Sequence, residues 1–296
     1  MIGRFLDPKN DFAFKKIFGE EKNKQIVIDL INAVLHRQLH RKVMDVRFLS
    51  PIQEPEALAK KQSIVDVLCR DEDGCQYIIE MQISNHTGFI ERAQYYAYKA
   101  FVSQMGEGQP YYGLKEVIFL AFTNFNIFPE IQAYKSEHIM VDRETHKHLL
   151  DKVSFTFVDL IKFDQQCQDK PLHQLTLEEK FYYFLRHAAS VSDSDLSALT
   201  DREPTIKKAF GMLERTGWSQ EEMRIYDREE KRQRDLIASH EFARGEGRAE
   251  GRAEGIQLGE KKGKAEGIQI GEKKGRAEGR AEGIQLGEKK GKAEGI

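Results

Sequence analysis

The sequence predicts an α/β fold in which a mixed sheet flanked by helices precedes a helical region and a glycine-periodic tail. First, two runs rich in β-branched residues are joined around Asp-Glu-Asp-Gly at 71–74, which is a strong hairpin signal. Second, a helical pattern at 86–105 leads to a nearly continuous apolar run at 115–123, suited to a buried strand. Third, the pattern is helical from Thr176 onward, and glycine recurs at every fourth position from Gly247.

The segment before the hairpin has apolar residues at helical spacing, first around Phe14 and then around Leu30. This spacing predicts two short helices that break at Gly19. Asp7-Pro8 is the predicted helix start, because proline at the first helical position loses no hydrogen bond. Residues 43–49 read as a strand that ends at Pro51.

The segment after residue 123 holds two further strand candidates, at 137–141 and 154–158. Thr176 and Glu179 form a capping-box pattern at the head of the helical region. Helical patterns follow at 194–200 and 205–218, and a long polar helix begins at Ser219. We therefore expect three parts: a sheet domain at 1–170, a helical region at 171–240 and a repeat tail at 241–296.

The composition limits the classes of function. A formal net charge of -2 with 32% charged residues describes a soluble protein, so any surface that binds DNA must be local. Three cysteines without a CxxC pair argue against disulfides and thiolate zinc sites, and fit a reducing cytoplasm. We expect no membrane span or signal peptide, since no apolar stretch approaches about 18 residues. HExxH and Walker-type motifs are missing from the sequence, so zinc-enzyme and NTP-driven chemistry are not indicated.

Two acids and an amide interrupt the apolar pattern of the predicted hairpin. Asp66 lies within SIVDVL, and Glu80 and Gln82, two residues apart within YIIEMQIS, project from one face of their strand. A loop from Asp71 through Cys75 would set Asp66 directly across from Glu80. A loop one residue shorter would put the two acids on opposite faces, unless a bulge intervened.

In the favourable register the hairpin offers hard oxygen ligands. Mg²⁺ and Mn²⁺ typically bind through one or two carboxylates, waters and substrate phosphate oxygens. Such an ion would lower the pKa of a bound water and stabilise charge on a phosphate. The alternative is that Asp66 and Glu80 are exposed strand carboxylates on a one-sided sheet.

The pattern Asp-x13-Glu-x-Gln on a hairpin, followed by a helix and a strand, resembles the PD-(D/E)XK nuclease superfamily. NDFAFKKIFG, the VDV and IIEMQ pair and the glycine-glutamate tail resemble more closely the Rpn family of recombination-promoting nucleases and transposase-like proteins. The similarity covers roughly residues 5–240. It implies a restriction-endonuclease-like core and a Mg²⁺-dependent DNA endonuclease linked to recombination or mobile elements.

The resemblance also implies roles for the hairpin residues. Asp66 matches the metal-binding Asp, Glu80 matches the second acidic ligand, and Gln82 stands where the superfamily usually has Lys. This departure affects the expected rate, because Lys can support the attacking water electrostatically whereas Gln can only orient it. Asp11 resembles an acid that many such nucleases carry on the first helix, or it is a helix N-cap. Lys15 contacts phosphate or solvates a helix face.

The helix after the hairpin carries Gln94 and Tyr98, an i, i+4 pair. The pair resembles the Gln-x-x-x-Tyr element of RecB-like nucleases, which flanks the cleavage centre and contacts DNA. Core packing alone would also explain Tyr98, since five aromatic residues lie between Phe89 and Phe101. Arg92 is a further candidate for a phosphate contact.

The tail leaves two interpretations open. Glycine inside a helix costs about 1 kcal/mol relative to alanine, yet the other tail residues are good helix formers. A four-residue period moves the glycine stripe by about 40° per repeat, which favours right-handed wrapping of close-packed helices. The tail is therefore a helix that orders in a homo-oligomer, or a solvated extension of the preceding helix. Its mixed charge makes it a poor DNA tether.

Two other classes of function compete with the nuclease. One is a catalytically weak DNA-binding or assembly protein on the same fold, in which the tail mediates oligomerisation. The other is a structural scaffold, which requires the carboxylates of Asp66 and Glu80 to point apart. Cleavage in response to Mg²⁺ or Mn²⁺ separates the first from the nuclease, and the geometry of the two carboxylates tests the second.

Overall fold

The computed structural model describes residues 3–36, 39, 41–53, 63–106 and 108–293. The chain divides into two compact units, Met1–Arg232 and Gln233–Ile296. The last three residues of the predicted tail, 294–296, lie outside the described residues. Within the described part of the chain, no helix has both the length and the apolar character needed to cross a membrane.

The first unit is built on strands that belong to two sheets. Their bounds are β1 (Val46–Phe48), β2 (Ile52–Gln53), β3 (Ser63–Ile64), β4 (Val67–Asp71), β5 (Gln76–Gln82), β6 (Val117–Thr123), β7 (Lys135–His138) and β8 (Val153–Asp159). The main sheet has the order β1-β4-β5-β6-β8-β7, and β2 pairs with β3. Strand β6 runs parallel to β5 and β8, while the other pairs are antiparallel. The mixed sheet of the predicted fold class is confirmed.

The helices cover both faces of this sheet. Their bounds are α1 (Asp11–Phe18), α2 (Lys24–Val34), α3 (Phe89–Val102), α4 (Leu160–Cys167), α5 (Leu177–His187), α6 (Asp193–Thr200), α7 (Pro204–Leu213) and α8 (Gln220–Ala293). Helices α1, α2, α5 and α7 share one apolar core with the first face of the sheet. Helix α3 packs in a second core on the opposite face. Because both faces are covered, every residue of β6 is buried.

Successive side chains of β5 point to opposite faces of the sheet and therefore contact different helices. Tyr77, Ile79 and Met81 belong to the first core, whereas Ile78 belongs to the core under α3. Glu80 and Gln82 have the same parity as Ile78, so they face the α3 side. Strand β5 therefore directs Glu80 and Gln82 toward a single helix.

Several predicted elements are confirmed at residue level. Helices α1 and α2 are separated at Gly19, which is the C-cap of α1. The Thr176 side chain accepts a hydrogen bond from the Glu179 backbone, and the reciprocal contact completes the predicted capping box.

Other predictions need correction. The first helix does not start at Asp7-Pro8, because the Asn10 side chain caps it by accepting from the backbone of Phe12 and Ala13. The strand predicted at 137–141 lies instead at Lys135–His138.

The helix predicted over 205–218 also ends early, at Leu213. The reason is a contact with the start of the chain. The backbone N–H of Leu6 donates to the Leu213 carbonyl over 3.0 Å, and Phe5 pairs with Glu214 in an antiparallel bridge.

Candidate active site

The hairpin register sets Asp66 across from Glu80. Strands β4 and β5 pair Val67 with Ile79 and Arg70 with Gln76, so the loop runs from residue 71 through 75. Gly74 turns this loop at a φ of +92°, a conformation that side chains with a Cβ rarely adopt. This is the longer of the two loops that the sequence left open, and it brings the two acids to one face.

The two carboxylates interlock through the backbone of the opposite strand. The backbone N–H of Asp66 donates to Glu80 Oε1 over 3.1 Å. The backbone N–H of Met81 donates to Asp66 Oδ2 over 3.0 Å. Asp66 lies just before β4, where the regular ladder ends, so these side chains continue the pairing of the strands. The carboxylates converge, and a scaffold with diverging acids does not fit this geometry.

Burial makes the negative charge of this pair costly. Only 3% of Glu80 and 12% of the Asp66 side chain are exposed. Burial, followed by the charge of Asp11, raises the pKa of Asp66 to about 7. Burial and then the charge of Asp66 raise the pKa of Glu80 well above its ordinary value. A cation at this position would relieve the repulsion between the two acids.

Helix α1 brings a charged pair to the same place. Lys15 Nζ lies 2.8 Å from Asp11 Oδ1 and 3.4 Å from Asp66 Oδ1. Burial alone would lower the pKa of Lys15, but the neighbouring Asp66 and Asp11 carboxylates outweigh it and raise the pKa. The N-cap interpretation of Asp11 is wrong, because Asn10 caps the helix and Asp11 occupies its first turn. Lys15 pairs with Asp66 and does not simply solvate a helix face.

Arg92 determines how the amide of Gln82 points. Arg92 Nη2 donates to Gln82 Oε1 over 2.9 Å, and Gln82 Nε2 donates to Glu80 Oε2 over 3.1 Å. The carbonyl oxygen of Gln82 therefore faces arginine, and its amino group faces the acids. The guanidinium also lies 5.3 Å from the centre of the Phe89 ring, which helps to hold it. Arg92 Nε is buried and has no hydrogen-bond partner among the described residues.

The rotation of α3 decides which of its residues reach the acids. Its buried stripe faces the sheet and consists of Phe89, Ala93, Ala97 and Ala100. Arg92 and Tyr96 lie on the Glu80 side of this stripe. Burial raises the pKa of Tyr96; the positive charge of Arg92 opposes this rise, and the charges of Glu80 and Asp66 add to it. Sequence reasoning missed Tyr96, although its i, i+4 spacing from Arg92 was available as a signal.

Gln94 and Tyr98 lie on the other flank of α3. They line a groove of about 270 Å³ together with Phe155 and His138, over β8 and β7. The Tyr98 ring lies 6.4 Å from the ring of Phe155 in an edge-on arrangement. The structure therefore brings together Asp11, Lys15, Asp66, Glu80, Gln82 and Arg92, and it places Gln94 and Tyr98 in a separate groove.

The donor set fits a hard divalent cation. Among the described residues, no group of three or more His, Cys, Asp or Glu side chains is placed to hold a metal ion. Mg²⁺ does not require such a group, because it usually binds one or two protein carboxylates and keeps several waters. Asp66 and Glu80 could supply those carboxylates, and Asp66 already faces a positive charge, the ammonium group of Lys15.

Comparison with known proteins gives a family match that covers most of the chain. The family model described as PD-(D/E)XK nuclease family transposase matches residues 8–243. The matched span contains α1, the hairpin, α3 and every residue of the candidate site. Neither a curated protein nor a solved structure matches the chain.

Proposed function

The chain belongs to the PD-(D/E)XK nuclease family transposases, and on that premise we propose that it hydrolyses phosphodiester bonds in DNA with a divalent metal ion. The observation that carries this proposal is the interlocked pair of Asp66 and Glu80. Two buried carboxylates with raised pKa values are costly to keep in a fold. Such a cost is typical of a site that exists for chemistry.

Asp66 and Glu80 would hold Mg²⁺ or Mn²⁺ through their outward lone pairs. When bound, the ion lowers the pKa of a water molecule and stabilises the charge that develops on the phosphate. The chain's own contribution is to fix the direction of the acids. The backbone groups of Asp66 and Met81 do this, since each donates to the acid of the other strand.

Gln82 would position the attacking water. Its amino group has one N–H committed to Glu80, and the second N–H is available to a water oxygen. In the reaction the water oxygen forms a bond to phosphorus and the bond from phosphorus to the leaving sugar oxygen breaks. The attacking water loses a proton to solvent, and the leaving sugar oxygen takes up a proton from solvent to become a hydroxyl group. Arg92 fixes the direction of the amide, and its cationic face is a candidate contact for DNA phosphate.

The proposal is tested by nicking of supercoiled plasmid in Mg²⁺. We expect Asp66→Asn to reduce nicking at least about 100-fold, because one metal ligand becomes neutral. Asp45→Asn, which changes an exposed carboxylate paired with Lys24, serves as the matched control and should nick normally. Undiminished nicking by Asp66→Asn would remove the assignment.

One observation favours a second candidate, a DNA-binding or assembly protein with weak cleavage. Gln82 carries no charge, and its carbonyl oxygen and one of its two N–H groups are already bonded to Arg92 and Glu80. In this case the repeat tail would mediate self-association. Titration of Mg²⁺ and Mn²⁺ separates the two candidates, since the second predicts DNA binding without product at any metal concentration.

A further inference from the structure

We propose that Lys15 is a catalytic residue whose ammonium group contacts the reacting phosphate and supplies the positive charge that the neutral amide of Gln82 lacks. The proposal rests on the proposed nuclease function. It assigns to α1 a chemical role in addition to its part in the core, and it makes the site a product of three elements: α1, the hairpin and α3.

The first argument is position. Lys15 Nζ lies 3.4 Å from Asp66 Oδ1, so the ammonium group is in direct contact with a candidate metal ligand. About 36% of the Lys15 side chain is exposed, compared with 12% of the Asp66 side chain. The ammonium group therefore lies between the buried acids and the solvent from which DNA would approach.

The second argument is that α1 holds the lysine firmly. Phe14, Ile17 and Phe18 are fully buried on the core side of the helix. Lys16, which follows Lys15 in the chain, pairs with Glu222, and its Nζ lies 4.4 Å from the centre of the Trp218 ring. These contacts fix the rotation of α1, so Asp11 and Lys15 are presented together toward Asp66.

The third argument concerns the other charges at the site. Arg92 is committed to Gln82 and approaches from the Glu80 side. Among the described residues, Lys15 is the cationic side chain that contacts Asp66. When a divalent cation occupies the acids, like charges repel and the ammonium group leaves Asp66, while Asp11, 2.8 Å away, still holds it beside the site. The N–H donors released from Asp66 are then free to bind a DNA phosphate, which a compact ammonium group on a flexible stem binds well.

The test compares Lys15→Met and Lys15→Arg with the wild-type chain in Mg²⁺-dependent cleavage of a labelled duplex. We expect Lys15→Met to lower kcat about 100-fold with KM changed less than about threefold, because the charge acts on the transition state. Lys15→Arg should keep at least about a tenth of the activity. Lys22→Met, which changes a lysine paired with Glu20, is the matched control and should behave as wild type.

A second readout separates catalysis from support of the fold. Isothermal titration calorimetry with Mn²⁺ should give Lys15→Met a Kd no weaker than that of the wild type, since the mutation removes a competing cation. A weaker Kd would show that Lys15 shapes the metal site, and this would overturn the proposal.

Relocation of the charge provides the sharpest test. Position 82 lies beside Glu80 on the same face of β5, so a lysine there brings an ammonium group to the same acids. We expect Lys15→Met/Gln82→Lys to regain at least about tenfold over Lys15→Met. Recovery by either this double variant or Lys15→Arg supports the charge role, and failure of both overturns it.

The outcomes also distinguish this proposal from the nuclease assignment. If the wild-type chain cleaves, Asp66→Asn does not, and Lys15→Met matches the wild type, only the role of Lys15 fails. If the wild-type chain does not cleave with any divalent metal ion, both proposals fail together.

Discussion

The unit Met1–Arg232 and the unit Gln233–Ile296 are both rich in helix, yet different forces form them. In the first unit, buried side chains such as Phe14 are fully enclosed by neighbours from other elements. In the second, repeat residues such as Ile268 keep 64% of their surface exposed. The first unit can hold two acids at a costly position because tertiary contacts stabilise it. A helix that is stabilised only by the helix propensity of its own residues lacks these tertiary contacts and could not offset the cost of a buried acid.

Glycine shows the same difference at single positions. A Cβ at Gly19 would lie 2.7 Å from the backbone carbonyl oxygen of Lys15, so this glycine permits a close approach at the end of α1. At Gly267, a Cβ would meet nothing within 4 Å. The first glycine is required by its surroundings, whereas the second weakens its helix without a compensating contact in the described chain.

The largest expected effect compares one large apolar residue from each unit, Phe14 in the first and Ile268 in the second. Phe14→Ala should lower the free energy of unfolding of the first unit by about 3–5 kcal/mol, because it leaves a cavity in a closed core. Ile268→Ala should change it by less than about 0.5 kcal/mol. Urea unfolding followed by the fluorescence of Trp218, the single tryptophan, measures both. A cost above about 1 kcal/mol for Ile268→Ala would mean that the tail packs against a partner.

The next effect concerns the cost of the buried acid. Asp66 binds its proton more tightly in the folded chain than in the unfolded chain, since its folded pKa is raised to about 7. Its contribution to stability is therefore full below about pH 4 and is lost as the pH rises through about 7.

The Asp66→Asn variant should therefore gain stability relative to the wild type as the pH rises. At pH 8 without metal, its free energy of unfolding should exceed that of the wild type by about 1–2 kcal/mol. Thermal melts of the wild type and the variant between pH 4 and 8 check this. A difference between the two chains that stays constant over this range would contradict the buried, repelling pair. Added Mg²⁺ should stabilise the wild type and leave the variant unchanged.

A smaller effect, of opposite sign in the two units, comes from the glycines. Gly19→Ala should destabilise the first unit by about 1 kcal/mol, since the new methyl group meets the backbone of α1. Gly267→Ala should stabilise the tail helix by about 1 kcal/mol and increase helical circular dichroism. Equal signs at the two positions would show that the comparison between the units is wrong.

The smallest expected effect is that of substitutions in the tail on the rate of DNA cleavage. Ile268→Ser together with Ile270→Ser should leave the rate of DNA cleavage within about twofold of wild type, because the candidate site lies in the first unit. Light scattering on the same samples reports the oligomeric state. A fall in mass with unchanged cleavage would assign the tail to assembly, and a large loss of cleavage would contradict its separation from the chemistry.

The sequence singled out most residues of the candidate site because polar residues within apolar runs stand out. Asp66, Glu80 and Gln82 interrupt apolar runs, and only the length of the loop at residues 71–75 remained open. The match of a nuclease family model over residues 8–243 agrees with the resemblance that these residues carry.

The helix α3 was harder to interpret. Its i, i+4 spacing is satisfied equally by Gln94 with Tyr98 and by Arg92 with Tyr96. The choice depends on which strands the helix crosses, and this is decided by the sheet order. The bond between Arg92 and Gln82 likewise depends on two elements whose separation the sequence does not encode locally.

Helix α4 was missed for a different reason. The predicted strand at 154–158 is followed directly by the apolar residues Leu160, Ile161 and Phe163, and no helix was predicted there. In the structure, Asp159 ends β8 and caps α4 by accepting from the backbone of Ile161 and Lys162. An acid followed by helical spacing was the available signal.

The most direct test of the central claim is the location of a metal ion in crystals grown with Mn²⁺. The claim predicts one anomalous peak within about 2.2 Å of carboxylate oxygens of both Asp66 and Glu80, with Lys15 Nζ displaced from Asp66. A peak at other carboxylates, or a pair of acids that keeps its contact with Lys15 at saturating Mn²⁺, would contradict the assignment of this hairpin as the metal centre.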